Sequence, residues 1–493
     1  MRRAARALYD ETAGLPIVSP HGHVDPALLS ENRPFPEPTA LLITPDHYVL
    51  RMLQSQGVPL DALGVRRADG SGGEADPRAV WKRFCALYHV FAGTPTRIWM
   101  DYVLAEVFGV DVVPDAASAD RVYDHVAERL QSPEYRPRAL FDRFGIEVLA
   151  TTDAATDDLR HHAALRDERL AGGWAGDVRP TFRPDALIQI ARPGWAGTLA
   201  EAERLAGFPI GSYDAFVRAL EDRRRFFQAL GAVATDHGAE SPRTERLPDD
   251  EAARLFDRAL EGRATPEDET DFTAHMLMEM ARMSTEDGLV MQLHAGSLRN
   301  HNGPLEAEYG ADKGADIPVQ AEWTRNLRPL LNAYGTDAGA PGRPPFRLIA
   351  FTLDESTYAR ELAPLAGHYP ALVLGPAWWF HDSLEGMRRY REQTTETAGI
   401  YNTAGFNDDT RAFCSIPARH DLARRVDANW LGGLVARHQV TMDEARRMAR
   451  ALAYELPRGT YRLDGGGEAG LAALASTNGH AADGHAVTDG QAR

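Results

Sequence analysis

Short apolar, β-branched runs alternate with amphipathic helical stretches along most of the chain. In order they are LPIVSPHGHV from Leu15, IEVLATTD from Ile146, VRPTF from Val178 and GAVATDH from Gly231. They continue with GLVMQLHAG from Gly288, FRLIAFTLD from Phe346, ALVLGPAWW from Ala371 and GIYNTAGFNDD from Gly399. Near-continuous apolar strands between helical segments predict a parallel sheet buried on both faces. Eight such units predict an α/β chain folded as a (β/α)8 or TIM barrel, whose chemistry sits at the C-terminal ends of the strands. The spacing is uneven. Roughly 120 residues separate the first run from the second, far more than one crossover helix needs. The intervening segment, about Asp25 to Arg143, carries helical patterns such as AVWKRFCALYHVFAG and ADRVYDHVAERLQ. It reads as a helical insertion, a lid over the barrel mouth. Residues 1–463 are expected to form one barrel domain with this insertion at 25–143. The Gly- and Ala-rich tail 464–493 is expected to be disordered.

Composition narrows the function. The formal charge is −17, which excludes a general nucleic-acid binder, since that would need a basic face. A small anionic substrate needs only one or two local arginines and stays compatible. Two cysteines, Cys85 and Cys414, are too few for a disulfide framework or a thiolate metal site. Lys82 and Lys313 are the only lysines, so little lysine chemistry is available. No run of eighteen apolar residues occurs, and the basic start is broken by Asp10, Glu11 and Thr12 before a signal core forms. A cytoplasmic protein with no membrane or nucleic-acid partner is expected, acting on a small molecule and assembling as a homo-oligomer.

Candidate chemistry clusters at the strand ends. His21 and His23 are alternate residues of the first run, so both imidazoles face one point and can bind a divalent metal such as zinc. Asp408-Asp409-Thr410-Arg411 follows the eighth run. In a closed barrel that run lies beside the first, so an acidic residue there reaches the same metal and can also take a proton. A helix N-cap is the alternative use of such an aspartate. His294 after the fifth run and His237 at the end of the fourth are each a ligand, an acid/base or a core histidine. Arg299, Arg411 and Arg183 are candidates to fork onto a carboxylate, against the default of surface arginine. Asp46-His47-Tyr48 in the insertion supplies a donor and a proton relay for a sugar hydroxyl or carbonyl. Trp378, Trp379 and Phe380 either wall a pocket or pack the core.

These residues carry a resemblance. The chain resembles the uronate (glucuronate) isomerases, a branch of the amidohydrolase superfamily, from its first helix to about Arg425. The matching motifs are HGH (His21, His23), DHY (Asp46 to Tyr48), TTD (Thr151 to Asp153) and RPD (Arg183 to Asp185). They continue with HxGxLRNxN (His294 to Asn302), WWF (Trp378 to Phe380) and DxRxF (Asp409 to Phe413). The segment FTLDESTYAR after the sixth run does not clearly follow the family pattern. The resemblance implies a distorted (β/α)8 TIM barrel of the metal-dependent hydrolase type, with a helical insertion after the first strand. It implies an enzyme that interconverts D-glucuronate with D-fructuronate and D-galacturonate with D-tagaturonate by proton transfer through an enediol. It further implies that His21, His23 and Asp409 hold one divalent metal, commonly zinc. Arg411 would hold the substrate carboxylate, and His47 and Tyr48 would assist proton transfer at the sugar. Asp409, rather than Asp408, matches the motif. The rival readings are a mononuclear metal-dependent hydrolase or a sugar-acid lyase or epimerase on the same barrel. A binuclear site bridged by lysine is disfavoured, because neither lysine ends a strand.

Overall fold

The computed structural model describes residues 1–463. The tail expected to be disordered lies outside the described residues. Eleven strands are described: β1 (Ile17–Ser19), β2 (Ile146–Ala150), β3 (Asp153–Ala154), β4 (Asp177–Arg179), β5 (Phe182–Arg183), β6 (Ala234–Ala239), β7 (Val290–Ala295), β8 (Ser297–Leu298), β9 (Ile317–Pro318), β10 (Leu348–Thr352) and β11 (Leu372–Leu374). One sheet runs β11-β10-β7-β6-β5-β3, another β1-β2-β4, and β8 and β9 form a small antiparallel hairpin. Every pairing in the two larger sheets is parallel.

The second and third sequence runs are each broken into two short strands. Pro180, which has no N–H to give a ladder, separates β4 from β5. The backbone line continues across the break, with Thr151 N–H donating to Arg179 O (2.9 Å) and Asp153 N–H to Thr181 O (3.0 Å). Seven runs therefore stand side by side in chain order. The eighth is a correction to the sequence reading: GIYNTAGFNDD forms no strand. A 3-10 turn covers Ile400–Asn402, a single parallel bridge joins Leu374 to Thr403, and irregular buried backbone follows. Gly405 adopts φ +76°, and a Cβ there would lie 2.5 Å from Pro457 and 2.8 Å from the Leu452 carbonyl, so the helical segments Ala451–Glu455 and Leu456–Thr460 press directly on this backbone. This irregular segment spans from β11, through Ala404 N–H to Leu374 O (2.8 Å), to the backbone after β1, through His23 N–H to Thr410 O (3.0 Å).

The strands are apolar on both faces, as parallel strands covered by helices must be. Val290, Met291, Leu293, Leu348, Ile349, Phe351, Leu372 and Leu374 are at most 1% exposed, apart from a few flanking positions. Beneath the N-terminal strand ends, Arg462 donates to the carbonyls of Gly288 and Pro345, and fully buried Tyr461 donates to Gln292 Oε1 at 2.7 Å. The N-terminal helix Arg2–Thr12 is tied to the long helix Ile416–Ala436, where Arg424 donates to the carbonyls of Ala13 and Pro16.

Between β1 and β2 the chain is built of short helices, including His47–Ser55, Pro77–Ala86, Pro95–Tyr102 and Ala119–Leu130. Their apolar faces meet in a separate cluster around Trp81, Phe84, Tyr88, Phe91 and Phe108. Helix starts are chemically marked. Asp46, Asp76 and Thr94 each accept a backbone N–H from the first turn, and Pro follows directly at Pro77 and Pro95. Among the described residues no helix is long and apolar enough to cross a membrane.

Candidate active site

A cavity of about 800 Å³ opens at the C-terminal ends of the strands, and the helical segment after β1 contributes His47 and Tyr48 to its lining. On the barrel side, His23 Nε2 lies 3.0 Å and His21 Nε2 3.4 Å from Asp409 Oδ1. His21 is buried and His23 partly open to the cavity. Asp409 sits at φ +37°, a conformation that costs a non-glycine residue strain and that persists where packing dictates it. Its Oδ2 accepts from Trp378 Nε1 at 2.6 Å, while buried Oδ1 has no hydrogen-bond donor.

The three donor atoms suit a cation. Ligand atoms each about 2.0–2.1 Å from one tetrahedral zinc lie roughly 3.3 Å apart, close to the two distances found. Burial disfavours the charged forms. The His21 and His23 rings nevertheless hold the Asp409 carboxyl well below the usual carboxylate range. Burial lowers His23, whereas His21 is raised because Asp409 outweighs its burial. Deprotonated carboxylate and neutral imidazole are the ligating forms. His21, Asp236 and His294 make a second convergent trio that shares His21.

Behind this wall, His294 stacks on Phe351 (centroids 4.1 Å apart) and on His21 (4.8 Å). Its Nδ1 is 2.7 Å from Asp236 Oδ1, and burial holds the ring below its ordinary histidine value although that carboxylate opposes the shift. Asp236 Oδ2 also meets Arg183 Nη1 at 3.2 Å, and Arg183 Nε donates to Asp185 Oδ2 at 2.7 Å. Burial raises Asp236, but His294 and Arg183 bring it far below its ordinary value. Gly238 makes this cluster possible, since a Cβ there would sit 2.7 Å from Arg183 Nη2.

The opposite wall comes from helices. Asp46 caps the helix His47–Ser55 by accepting from Tyr48 N–H at 2.8 Å, which turns His47 and Tyr48 towards the cavity. His47 stacks on Tyr48 (5.1 Å) and meets Trp379 edge-on (4.7 Å). Burial, with Arg411 nearby, pulls His47 down to about 3, so it is neutral at ordinary pH. Tyr48 Oη donates to both oxygens of Asp382 at 3.0 Å. Arg411 stands at the rim, 35% exposed, with Nη2 3.5 Å from Asp312 Oδ2. Arg299 also lines the cavity, faces Trp378 at 5.8 Å and pairs with Asp316 at 2.6 Å.

The cavity thus gathers His21, His23, His47, Tyr48, Arg183, His294, Arg299, Trp378, Trp379, Asp409 and Arg411. Neighbours separate sharply. Asp408 points away from the cavity into the core, where its Oδ2 meets His420 Nε2 at 3.0 Å. His237 is likewise turned aside, against Thr235 Oγ1 at 3.0 Å, and Asp236 faces in. Strand alternation admits only one of that pair, so the TDH motif pointed at the right place but the wrong side chain. Asp312, Asp382 and Arg419 are cavity residues for which the sequence offered no local signal. Lys82 pairs with Asp120 on the surface, and Lys313 donates to Ala311 O in a loop, so neither side chain joins the His21–His23–Asp409 cluster.

Comparison with known proteins gives a consistent result. The family model described as glucuronate isomerase matches residues 1–460. A uronate isomerase of Rhizobium meliloti is 54% identical over 462 residues, covering 94% of this chain and 96% of the relative. The crystal structure of glucuronate isomerase from Caulobacter crescentus superposes with a TM-score of 0.91 at 49% identity, covering 95% of each chain. That of uronate isomerase from Thermotoga maritima gives 0.85 at 27% identity, covering 93% of this chain and 97% of the other.

Proposed function

We propose, on the premise that this chain belongs to the glucuronate isomerase family and is an aldose–ketose isomerase of uronates, the following division of labour in its cavity. His21, His23 and Asp409 hold one divalent cation, zinc by the chemistry of the donor set. When bound, the cation polarises a substrate oxygen as a Lewis acid. Arg411 grips the uronate carboxylate, with Arg299 adding positive potential from the same rim. Arg183 is engaged by Asp185 and Asp236 and orients Asp236 and His294 beneath the sugar.

The reaction moves a hydrogen from C2 to C1. Asp409 takes the O1 proton as the sugar ring opens, and the ring oxygen is protonated in turn. The C2–H bond of the open aldose then breaks, its proton passing to Tyr48 and its electrons forming C1=C2 with negative charge on O1. In the second half the O2 proton passes to O1, C2=O2 forms, and C1 takes back the proton held at Tyr48. Tyr48 carries the proton between C2 and C1. Neutral His47 hydrogen-bonds the oxygen on which charge develops. Trp378 and Trp379 wall the sugar off from water and fix its plane.

The observation that carries this reading is geometric. The His21–His23–Asp409 cluster faces His47 and Tyr48 across one cavity whose rim bears Arg411. The substrates to test are D-glucuronate and D-galacturonate, in heavy water. The expected result is D-fructuronate or D-tagaturonate carrying deuterium at C1. Deuterium at C1 overturns a hydride shift in favour of proton transfer, and no ketose from either sugar overturns the substrate assignment.

A further inference from the structure

The Tyr48 hydroxyl does not point into open cavity. It lies 3.0 Å from both carboxylate oxygens of Asp382. An ionised carboxylate only accepts, so the phenolic proton is committed to Asp382 and the oxygen lone pairs are left facing the sugar. Asp382 is itself held by Arg419, whose Nη1 donates to Asp382 Oδ2 at 3.0 Å and to the Asp408 carbonyl at 3.3 Å. Arg419 Nε donates to Ser415 Oγ at 3.2 Å, and the guanidinium lies 3.6 Å over the Trp99 ring. The guanidinium is 4% exposed and cannot swing away without leaving these partners. The three residues come from distant parts of the chain and all line the cavity.

We propose that Asp382 is the positioning residue of Tyr48 and the temporary holder of its proton. This rests on the role given to Tyr48 above. As Tyr48 Oη takes the proton from the sugar, its own O–H bond breaks and that proton moves to Asp382 Oδ. The sugar-derived proton restores the phenol, and the negative charge passes from Asp382 to the sugar. The reverse transfer returns a proton to C1, so atoms and charge balance without any further reactant. Tyr48 never has to exist as a free phenolate, which its burial and the adjacent carboxylate strongly oppose. The titratable and charged groups facing Asp382 are neutral Tyr48 on the helix His47–Ser55, Arg419 on the helix Ile416–Ala436, and Asp409 after the eighth run. Burial raises Asp382 and Arg419 opposes the rise, leaving it at about 6, where a carboxylate both holds and releases a proton near neutral pH.

The test uses the full-length, metal-loaded enzyme and compares wild type, Tyr48→Phe, Asp382→Asn and the double variant on one uronate. Asp382→Asn is expected to lower kcat on the order of 10²-fold with KM nearly unchanged, and to abolish an acidic limb near pH 6 in the kcat profile. The double variant is expected to be no slower than Tyr48→Phe, because both changes cut one relay. Additive losses, or an unchanged acidic limb in Asp382→Asn, overturn the proposal. If Tyr48→Phe is slow while Asp382→Asn is as fast as wild type, this proposal alone fails. If Tyr48→Phe keeps the wild-type kcat, the role of Tyr48 itself fails. Should Asp382→Asn not fold, Asp382→Glu carries the question, since it keeps a carboxylate. Retention of the acidic limb in that variant is expected, and its loss overturns the proposal.

Discussion

The two walls of the cavity are built on different principles. The barrel wall is made of side chains at and beyond the strand ends, where each carboxylate meets an imidazole or a guanidinium directly: Asp409 with His21 and His23, and Asp236 with His294 and Arg183. The helical wall is made of aromatic contact and capping. Its ionisable groups include a buried neutral histidine, a phenol, the Asp46 cap, and the carboxylate–guanidinium pair behind the phenol. The difference teaches how a site divides labour. Carboxylates set among imidazoles and a guanidinium on a rigid frame suit holding a cation and an anionic handle. Weakly charged, buried donors suit passing protons without fixing them.

The largest test of this contrast is Asp409→Asn. It keeps size but weakens ligation and removes the base, so turnover should fall by about 10²–10⁴-fold and bound metal, measured by elemental analysis, should drop with it. The same loss of turnover at full metal content would mean that Asp409 is a base but not a ligand. Arg411→Met should cost about 2 kcal/mol of uronate affinity, roughly 30-fold in KM, the low end for a charge pair because the side chain is partly exposed. A neutral aldose measured alongside should change far less. Equal effects on both sugars would make Arg411 part of the frame rather than the handle.

Trp378→Phe deletes the 2.6 Å donor to Asp409 while keeping an aromatic wall. A loss of about 1.5 kcal/mol, seen in kcat with KM preserved, is expected for a hydrogen bond to a charged acceptor. Stability against pH probes both walls together. Burial depresses His47 and His237 to about 3 in the fold, below the ordinary histidine value near 6.5. The unfolded chain therefore binds more protons between those limits. Stability present above pH ~6.5 should decline as pH falls towards ~3, by up to about 1.4 kcal/mol per pH unit for each group. Urea unfolding at pH 7 and 5 measures it, and His237→Gln should flatten the slope. The smallest effect is that of Asp46→Ala. Loss of the cap should cost about 1 kcal/mol in unfolding and disturb His47 and Tyr48, raising KM while metal content stays constant.

Much of the barrel wall was legible in the sequence because strands repeat every two residues. HGH announces two imidazoles on one face, and apolar runs of the right length announce buried parallel strands. The helical wall was legible only as the motif DHY, whose aspartate proves to be a cap and whose next two residues reach the cavity. Asp382 and Arg419 were invisible. Tyr48 and Asp382 are 334 residues apart, and no local pattern encodes a meeting at that separation. The eighth run misled for a related reason. Its strand-like position was right, but irregular backbone, pressed by Pro457 at Gly405, stands where a ladder was expected.

The sequence by itself determined the strand and helix rhythm, the imidazole and carboxylate donors, the scarcity of lysine and the likeness to uronate isomerases, because each is written in residue type and short-range spacing. The motif match had already favoured Asp409 over Asp408, and the tertiary structure gives the reason; it alone decided that Asp236 rather than His237 faces the cavity. Adjacent side chains diverge, and the packing of distant elements selects between them: His420 claims Asp408, while Trp378 and the two imidazoles claim Asp409. The carboxylate behind Tyr48 belongs to the same class. A buried phenol and a buried arginine must each find a partner, and that partner is supplied by whichever loop the fold brings there.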